Sequence, residues 1–170
     1  MSHDLDSSQA HIALPVQAPL EKKPETLIER LVSQHGATWV DESSIEAWSR
    51  EGGDRVVLFA GDPVQFPEGQ DVVVVLPELR RASGRHFEIA VVPREKEQDL
   101  ARRYGSQRWP SLLFLRDGQY VATLSGMHDW DVYVDEVKRV LALPTSRLPG
   151  IGIPLVSANA NANSNFDSCH

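Results

Sequence analysis

The sequence predicts an α/β fold in which a mixed central sheet carries helices on both faces. Segments with apolar residues at helical spacing alternate with short β-branched runs. A helix between two strands allows those strands to run parallel. Near the end, two alternating runs meet at an Asp-Gly step, which is typical of an antiparallel hairpin. Together these patterns predict a parallel portion with an antiparallel edge.

The first half supplies two helices, two strands and one ambiguous segment. Helices are predicted in "PETLIERLVSQHG", opened by Pro24 and ended by Gly36, and in "DESSIEAWSREGG". "ATWV" is a short strand candidate, and the unbroken apolar run of "RVVLFA" indicates a buried strand. "GDPVQFPEGQ" is predicted as a loop. In "DVVVVLPELRRAS" the valines favour a strand and "LPELRRA" favours a helix, while Pro77 excludes a central strand there.

The second half contains the hairpin. "HFEIAVV" is predicted as a strand and "EKEQDLARRYG" as a helix that ends at Gly105. Residues 111–125 are predicted to pair around Asp117 and Gly118. "DWDVYVDEVKRVLAL" closes the domain as an amphipathic helix. Its apolar face consists of Val134, Val137, Val140 and Leu141.

Composition sets the domain limits and the partner classes. We assign residues 1–23 to a flexible N-terminal arm, 24–144 to one folded domain, and 145–170 to a Pro/Gly-rich strap with a low-complexity tail. The net charge of −7 disfavours nucleic acid as a partner. The start resembles no export signal and no run is long enough to span a membrane, so we expect a cytoplasmic protein. Cys169 is the single cysteine, which permits no internal disulfide.

The order of elements resembles the thioredoxin fold over about residues 37–143. In that fold a helix ends at Tyr-Gly, and a proline then precedes a hairpin with a Gly turn and a final Gly. The matching positions are Tyr104, Gly105, Pro110, Gly118 and Gly126. The resemblance implies that the Trp109–Pro110 bond is cis. It also implies that the ambiguous segment is a helix kinked at Pro77.

The catalytic motif of thioredoxins is missing from this chain. After the first buried strand the sequence reads "FAGDPVQFPEGQDV", where a thioredoxin has Trp-Cys-x-x-Cys at a helix N-terminus. Leu58 stands at the expected position of the buried acid of that fold, and Cys169 lies in the tail. The missing cysteines therefore predict a protein without redox chemistry. We also expect no enzyme activity and no cofactor.

A narrower resemblance, over about residues 24–143, is to hydrogenase expression/formation proteins of the HyaE/HupG type. It rests on "VVLFAGDPVQFPE", "PELRR", "RYGSQRWPSLLFLRDGQY" and above all "LSGMHDW", with Gly-x-His-x-Trp at Gly126, His128 and Trp130. The resemblance implies a cytoplasmic, non-catalytic assembly chaperone for nickel-iron hydrogenase. Such a chaperone binds the twin-arginine signal peptide of the small subunit before export, and other hydrogenase accessory proteins are further candidate partners.

Two other functions stay open at this stage. One is a generic thioredoxin-like adaptor that binds a folded protein without redox activity. The other is a transferase that binds a thiol tripeptide at Pro110, which the missing helical second domain of such enzymes disfavours.

Eight residues are candidates for peptide binding. They are Trp109, Pro110, Asp62, Glu68, Asp71, Glu78, His128 and Trp130. In this fold the loop before the cis-proline pairs with an extended peptide. Arginine pairs with carboxylates, so the four acids are candidate partners, with Glu68 and Glu78 favoured by their "PE" and "PEL" contexts in the family.

Each candidate also has a simpler structural interpretation. Trp109 has the size and apolarity of a core residue. The acids are residue types that start turns, cap helices or stay solvated. His128 lacks the converging ligands of a metal site and is then a structural residue packed beside Trp130.

Overall fold

The computed structural model describes residues 25–150. The predicted arm, residues 151–170 of the predicted tail and Cys169 lie outside the described residues. The elements are α1 Leu27–His35, β1 Thr38–Trp39, α2 Ile45–Arg50, β2 Asp54–Phe59, α3 Glu68–Ala82, β3 Glu88–Val91, α4 Arg94–Arg103, β4 Ser111–Arg116, β5 Gln119–Ser125 and α5 Trp130–Leu141. This order is the one that the sequence predicts.

The five strands form one mixed sheet in the order β1-β3-β2-β4-β5. The β1/β3 and β2/β3 pairs are parallel, whereas β2/β4 and β4/β5 are antiparallel. The β4–β5 turn has positive φ angles at Asp117 (50°) and Gly118 (78°), as a tight hairpin turn requires. The predicted mixed sheet is confirmed.

The central strand β2 divides the core into two layers. Val56 and Leu58 pack in a cluster with residues of α1, α3 and α5. Val57 and Phe59 point the other way and pack with residues of α2 and α4. Because side chains alternate across a strand, an unbroken apolar run is what a strand covered on both faces needs. Helices therefore lie on both faces, as predicted.

The ambiguous segment is helical and lies in α3, with Pro77 inside the helix. Val72, Val73, Leu76 and Leu79 are buried, and this helical stripe outweighs the strand propensity of the valines. The predicted loop was too long at its end, because Glu68 already begins the helix. Gly69 explains the difference: its α-carbon lies so close to Ala60 that an added Cβ would overlap the Ala60 carbonyl oxygen.

The first helix begins later than its predicted start at Pro24, which lies outside the described residues. Thr26 caps α1, and the Glu29 amide donates to the Thr26 hydroxyl oxygen at 3.2 Å. The Glu29 carboxylate in turn accepts from the Thr26 amide at 2.7 Å, which completes a capping box. The predicted end at Gly36 is confirmed by its left-handed conformation.

The beginning of the predicted strap lies against the edge of the sheet. The Ser146 amide donates to the Tyr120 carbonyl oxygen at 2.7 Å and forms an isolated antiparallel bridge to β5. Among the helices of residues 25–150, none has both the length and the apolar character needed to cross a membrane.

Candidate functional site

The candidate site lies at the end of β2, where the cis-proline loop approaches it. The Trp109–Pro110 bond is cis, as the resemblance implied. Pro110 is buried, and its carbonyl oxygen accepts a 2.7 Å hydrogen bond from the Gly126 amide. This bond joins the proline loop to the segment that follows β5. The hairpin therefore holds both segments at one end of the sheet.

Trp109 is half-buried and stacks on Phe66, with ring centroids 5.7 Å apart and an interplanar angle of 29°. Gly61 lies under the two rings. A Cβ added to Gly61 would stand 2.9 Å from Cδ2 of Phe66 and 2.9 Å from Cβ of Trp109, and the Gly61 φ of 78° also favours glycine. Trp109 packs against the α2/α4 side of the core but keeps an exposed surface. It is therefore both a packing residue and an accessible aromatic.

Two clefts meet at Trp109. One has a volume of about 270 Å³ and is lined by Gly61, Asp62, Gln65, Phe66, Arg94, Glu97, Gln98 and Trp109. The other has a volume of about 320 Å³ and shares Gln98 and Trp109 with the first. Its remaining lining residues are Arg102, Gly105, Ser106 and Gln107. An aromatic side chain with polar and charged neighbours on both sides suits a peptide better than a small apolar ligand. We call the cleft of about 270 Å³, which contains Asp62 and Phe66, the Trp109 cleft.

A buried carboxylate, Glu97 of α4, lies at the back of the Trp109 cleft. It accepts hydrogen bonds from the backbone amides of Ala60 at 2.7 Å and Gly61 at 2.9 Å. Burial raises the pKa of the Glu97 carboxyl above its ordinary value, although these amides and a hydrogen bond to the Trp109 side chain oppose the shift. Glu97 thus joins α4, the end of β2 and the aromatic pair.

Glu97 is absent from the residues that the sequence singled out. Thioredoxins carry their buried acid in the strand, and here an acid from α4 lies at the end of that strand instead. The sequence holds one signal for it: Glu97, Leu100, Ala101 and Tyr104 recur at helical spacing, and all four are buried. Glu97 is the acidic member of that apolar stripe.

Asp62 is the predicted acid that lines the Trp109 cleft. Its Oδ1 accepts from the backbone amides of Val64 at 2.7 Å and Gln65 at 3.1 Å, which fixes the loop after Gly61 as an Asp-initiated turn. Its Oδ2 forms an ion pair with Arg94. The carboxylate is therefore both a turn former and one half of an ion pair in the cleft.

The other three predicted acids lie on α3. Glu68 and Asp71 are exposed in its first turn, next to the loop that carries Phe66. Glu78 is ten positions after Glu68, about 15 Å along the helix axis, and pairs with Arg81 at 2.7 Å. The structure thus brings Asp62 into the cleft and Glu68 and Asp71 to its neighbourhood, whereas Glu78 lies farther along the helix.

His128 and Trp130 follow β5, on the segment tied to Pro110. The His128 Nε2 atom lies 3.1 Å from the Ser125 carbonyl oxygen, and its ring meets Tyr133 edge-on at 5.3 Å. Trp130 begins α5 and is 45% exposed. Within residues 25–150 no group of three or more His, Cys, Asp or Glu side chains could hold a metal ion. His128 therefore has structural contacts, and Trp130 offers an apolar surface.

Comparison with solved structures assigns the fold. The chain is similar to a mutant thioredoxin from Halobacterium salinarum NRC-1, with a TM-score of 0.51 and 18% sequence identity. The match covers 64% of this chain and 93% of the thioredoxin. The fold is thioredoxin-like, as the sequence predicts.

Comparison with known sequences assigns the family. Residues 27–133 match the family described as hydrogenase-1 expression protein HyaE. The hydrogenase expression/formation protein HoxO of Cupriavidus necator is 58% identical over 146 residues, which are 85% of this chain and 88% of HoxO. HupG of Bradyrhizobium diazoefficiens is 34% identical over 129 residues, 74% of this chain and 87% of HupG. The chain therefore belongs to the HyaE family of hydrogenase expression proteins.

Proposed function

We propose that this protein is a cytoplasmic, non-catalytic assembly chaperone that binds the twin-arginine signal peptide of a nickel-iron hydrogenase small subunit before export. Membership of a hydrogenase expression family supports the client. The observation that carries the binding mode is the Trp109 cleft, where a stacked aromatic pair and the Asp62 carboxylate line one surface. Aromatic and carboxylate groups together match a segment with apolar and guanidinium side chains.

The backbone before Pro110 provides the pairing edge for an extended peptide. Within residues 25–150, neither the amide nor the carbonyl of Trp109 takes part in a backbone–backbone hydrogen bond. No backbone group of the described residues occupies them, so a bound segment can pair with them by strand addition while the indole contacts the adjacent side chains. Pro110 sets the direction of this backbone, and Trp130 extends the apolar surface beyond it.

The acids at the start of α3 provide the charge complementarity. Asp62 lines the cleft, and Glu68 and Asp71 are exposed in the first turn of α3, which follows the loop that carries Phe66. We assign one client arginine to Asp62 and the second to the first turn of α3. Glu78 then contacts only a peptide that continues along the helix, and His128 positions the segment that carries Trp130.

Calorimetric titration tests this function. The ligand is a synthetic hydrogenase small-subunit signal peptide, compared with the same peptide whose two arginines are lysines. We expect saturable binding that weakens for the lysine peptide, because an ammonium cannot form the bidentate bonds of a guanidinium. Binding of neither peptide to the folded protein would overturn the proposal. It would direct the search to the folded subunit or to another accessory protein.

Acid variants locate the arginine contacts. Glu68→Gln combined with Glu78→Gln should lower the affinity for the arginine peptide and should change the affinity for the lysine peptide less. Glu51→Gln is the matched control, because Glu51 precedes β2 and the cleft follows it, at the opposite end of that strand. Unchanged affinity in the double variant would remove both acids from the site and leave Asp62 and Asp71 as the candidates.

A further inference from the structure

The Trp109 cleft already contains a guanidinium group. Arg94, the first residue of α4, forms an ion pair with Asp62, and both residues line the cleft. The Arg94 side chain is 57% exposed, whereas that of Asp62 is 16% exposed. A largely solvated cation therefore lies on a carboxylate that is mostly buried.

The two oxygens of Asp62 have different partners. Oδ1 accepts from the backbone amides of Val64 and Gln65, which fixes the carboxylate in its loop. Oδ2 is the atom that faces Arg94. A side chain that is more than half exposed is far easier to displace than two backbone amides. Oδ2 can thus change partners without any rearrangement of the loop.

Glu97, the second carboxylate of the cleft, is unsuited to such an exchange. Its oxygens accept from the Ala60 and Gly61 amides, and the residue is 5% exposed. An arginine from outside would have to break backbone hydrogen bonds to reach it. Between the two acids that line this cleft, only Asp62 has an oxygen held by an exchangeable side chain.

We propose that Arg94 is an internal competitor that occupies Asp62 until an arginine of the signal peptide displaces it. This inference rests on the proposed function and names the residue that sets the affinity and selectivity of that site. Replacing one guanidinium by another keeps the charge and the hydrogen bonding of Asp62 nearly constant. Client binding is then weakened but reversible, and a lysine peptide is a poorer exchanger because an ammonium is more strongly hydrated than a guanidinium.

The test compares the affinity of the arginine signal peptide for the wild-type protein and for Arg94→Gln. The variant removes the competitor and a positive charge that repels the peptide, so we expect binding to tighten by about three- to tenfold, mainly through a slower dissociation rate. Lys96→Gln is the matched control. It removes one exposed positive charge from the same helix, and we expect it to change the affinity much less.

A double variant separates competition at Asp62 from general electrostatics. In the Asp62→Asn background the Arg94→Gln substitution should no longer tighten binding, because the contested carboxylate is absent. Thermal unfolding curves verify that each variant is folded. Unchanged or weaker peptide binding by Arg94→Gln, while the wild type binds, would overturn this inference and leave the proposed function intact. Failure of every variant and of the wild type to bind would overturn both.

Discussion

The Glu97 carboxylate accepts a 2.7 Å hydrogen bond from the backbone amide of Ala60, which joins α4 to the end of the central strand. Gly61 donates to the same carboxylate. In thioredoxins this place precedes the catalytic cysteines, and here it precedes a loop that carries Asp62 and Phe66. The buried acid therefore supports the loop that carries Asp62 and Phe66 rather than a thiol.

The first prediction concerns the pH dependence of stability. Burial raises the folded-state pKa of Glu97 above its ordinary value, so its contribution to stability is full below the unfolded pKa of about 4.3 and declines as the pH rises through the folded pKa. Urea unfolding of the wild type and of Glu97→Gln between pH 4.5 and 7.5 measures this contribution. The advantage of the wild type over the variant should shrink as the pH rises. An advantage that grows instead would mean that the backbone amides outweigh burial.

The second prediction concerns the close packing of α3 against the Ala60 backbone. Alanine at position 69 would place a methyl group on the Ala60 carbonyl oxygen, so Gly69→Ala should lower the free energy of unfolding by about 1–3 kcal/mol. This is opposite to the usual gain from alanine in a helix. Chemical denaturation checks it, with Gln70→Ala in the same turn as the control. A Gly69→Ala protein as stable as the wild type would contradict the close packing of α3 against Ala60.

The third prediction concerns the aromatic contact with the client. Trp109→Ala should weaken binding of the arginine peptide about thirtyfold, which corresponds to ~2 kcal/mol. The control is Trp39→Ala, since Trp39 is another accessible tryptophan (43% exposed) but lies on β1 at the edge of the sheet. Titration calorimetry of both variants measures the difference. Equal losses of affinity in the two variants, or no loss in either, would mean that the peptide binds elsewhere.

The fourth prediction concerns a charged cluster at the start of β2, at the end of the strand away from the Trp109 cleft. Asp54 is buried, and its carboxylate pairs at 2.5 Å with the Nε atoms of Arg85 and Arg116. The Nη1 atom of Arg85 and the Nη2 atom of Arg116 donate to the Leu141 carbonyl oxygen at the end of α5. Asp54→Asn should lower the free energy of unfolding by about 1.5–3 kcal/mol, because charge-assisted hydrogen bonds to a buried acceptor are lost. Denaturant unfolding checks this, and Asp135→Asn, an exposed acid of α5, should have little effect.

Periodicity and turn chemistry were sufficient to predict the architecture except for α3, which was assigned as a helix from the resemblance to thioredoxins. The alternation of helices and strands and the Asp117–Gly118 turn gave the mixed sheet, because these signals are local. The start of α3 depends on the approach of Gly69 to Ala60, which is a tertiary contact that no local pattern encodes. The prediction for that boundary was therefore wrong.

The site was only partly accessible from the sequence. Resemblance to thioredoxins identified the cis bond before Pro110. Glu97 stands in a strongly charged helix, where an acid is ordinarily solvated, and its burial follows from the position of α4 against β2. The pairing of Asp62 with Arg94 joins residues far apart in the chain, so only the folded structure reveals it.

The most direct test of the account is an NMR titration of the ¹⁵N-labelled protein with the arginine signal peptide. The account predicts progressive, saturable shifts of the Trp109 indole N–H and of the Gly61 and Phe66 amides, with the Trp39 indole unchanged. It predicts much smaller shifts with the lysine peptide. Saturable shifts that avoid the Trp109 cleft, or identical responses to the two peptides, would contradict recognition of the arginines at this site.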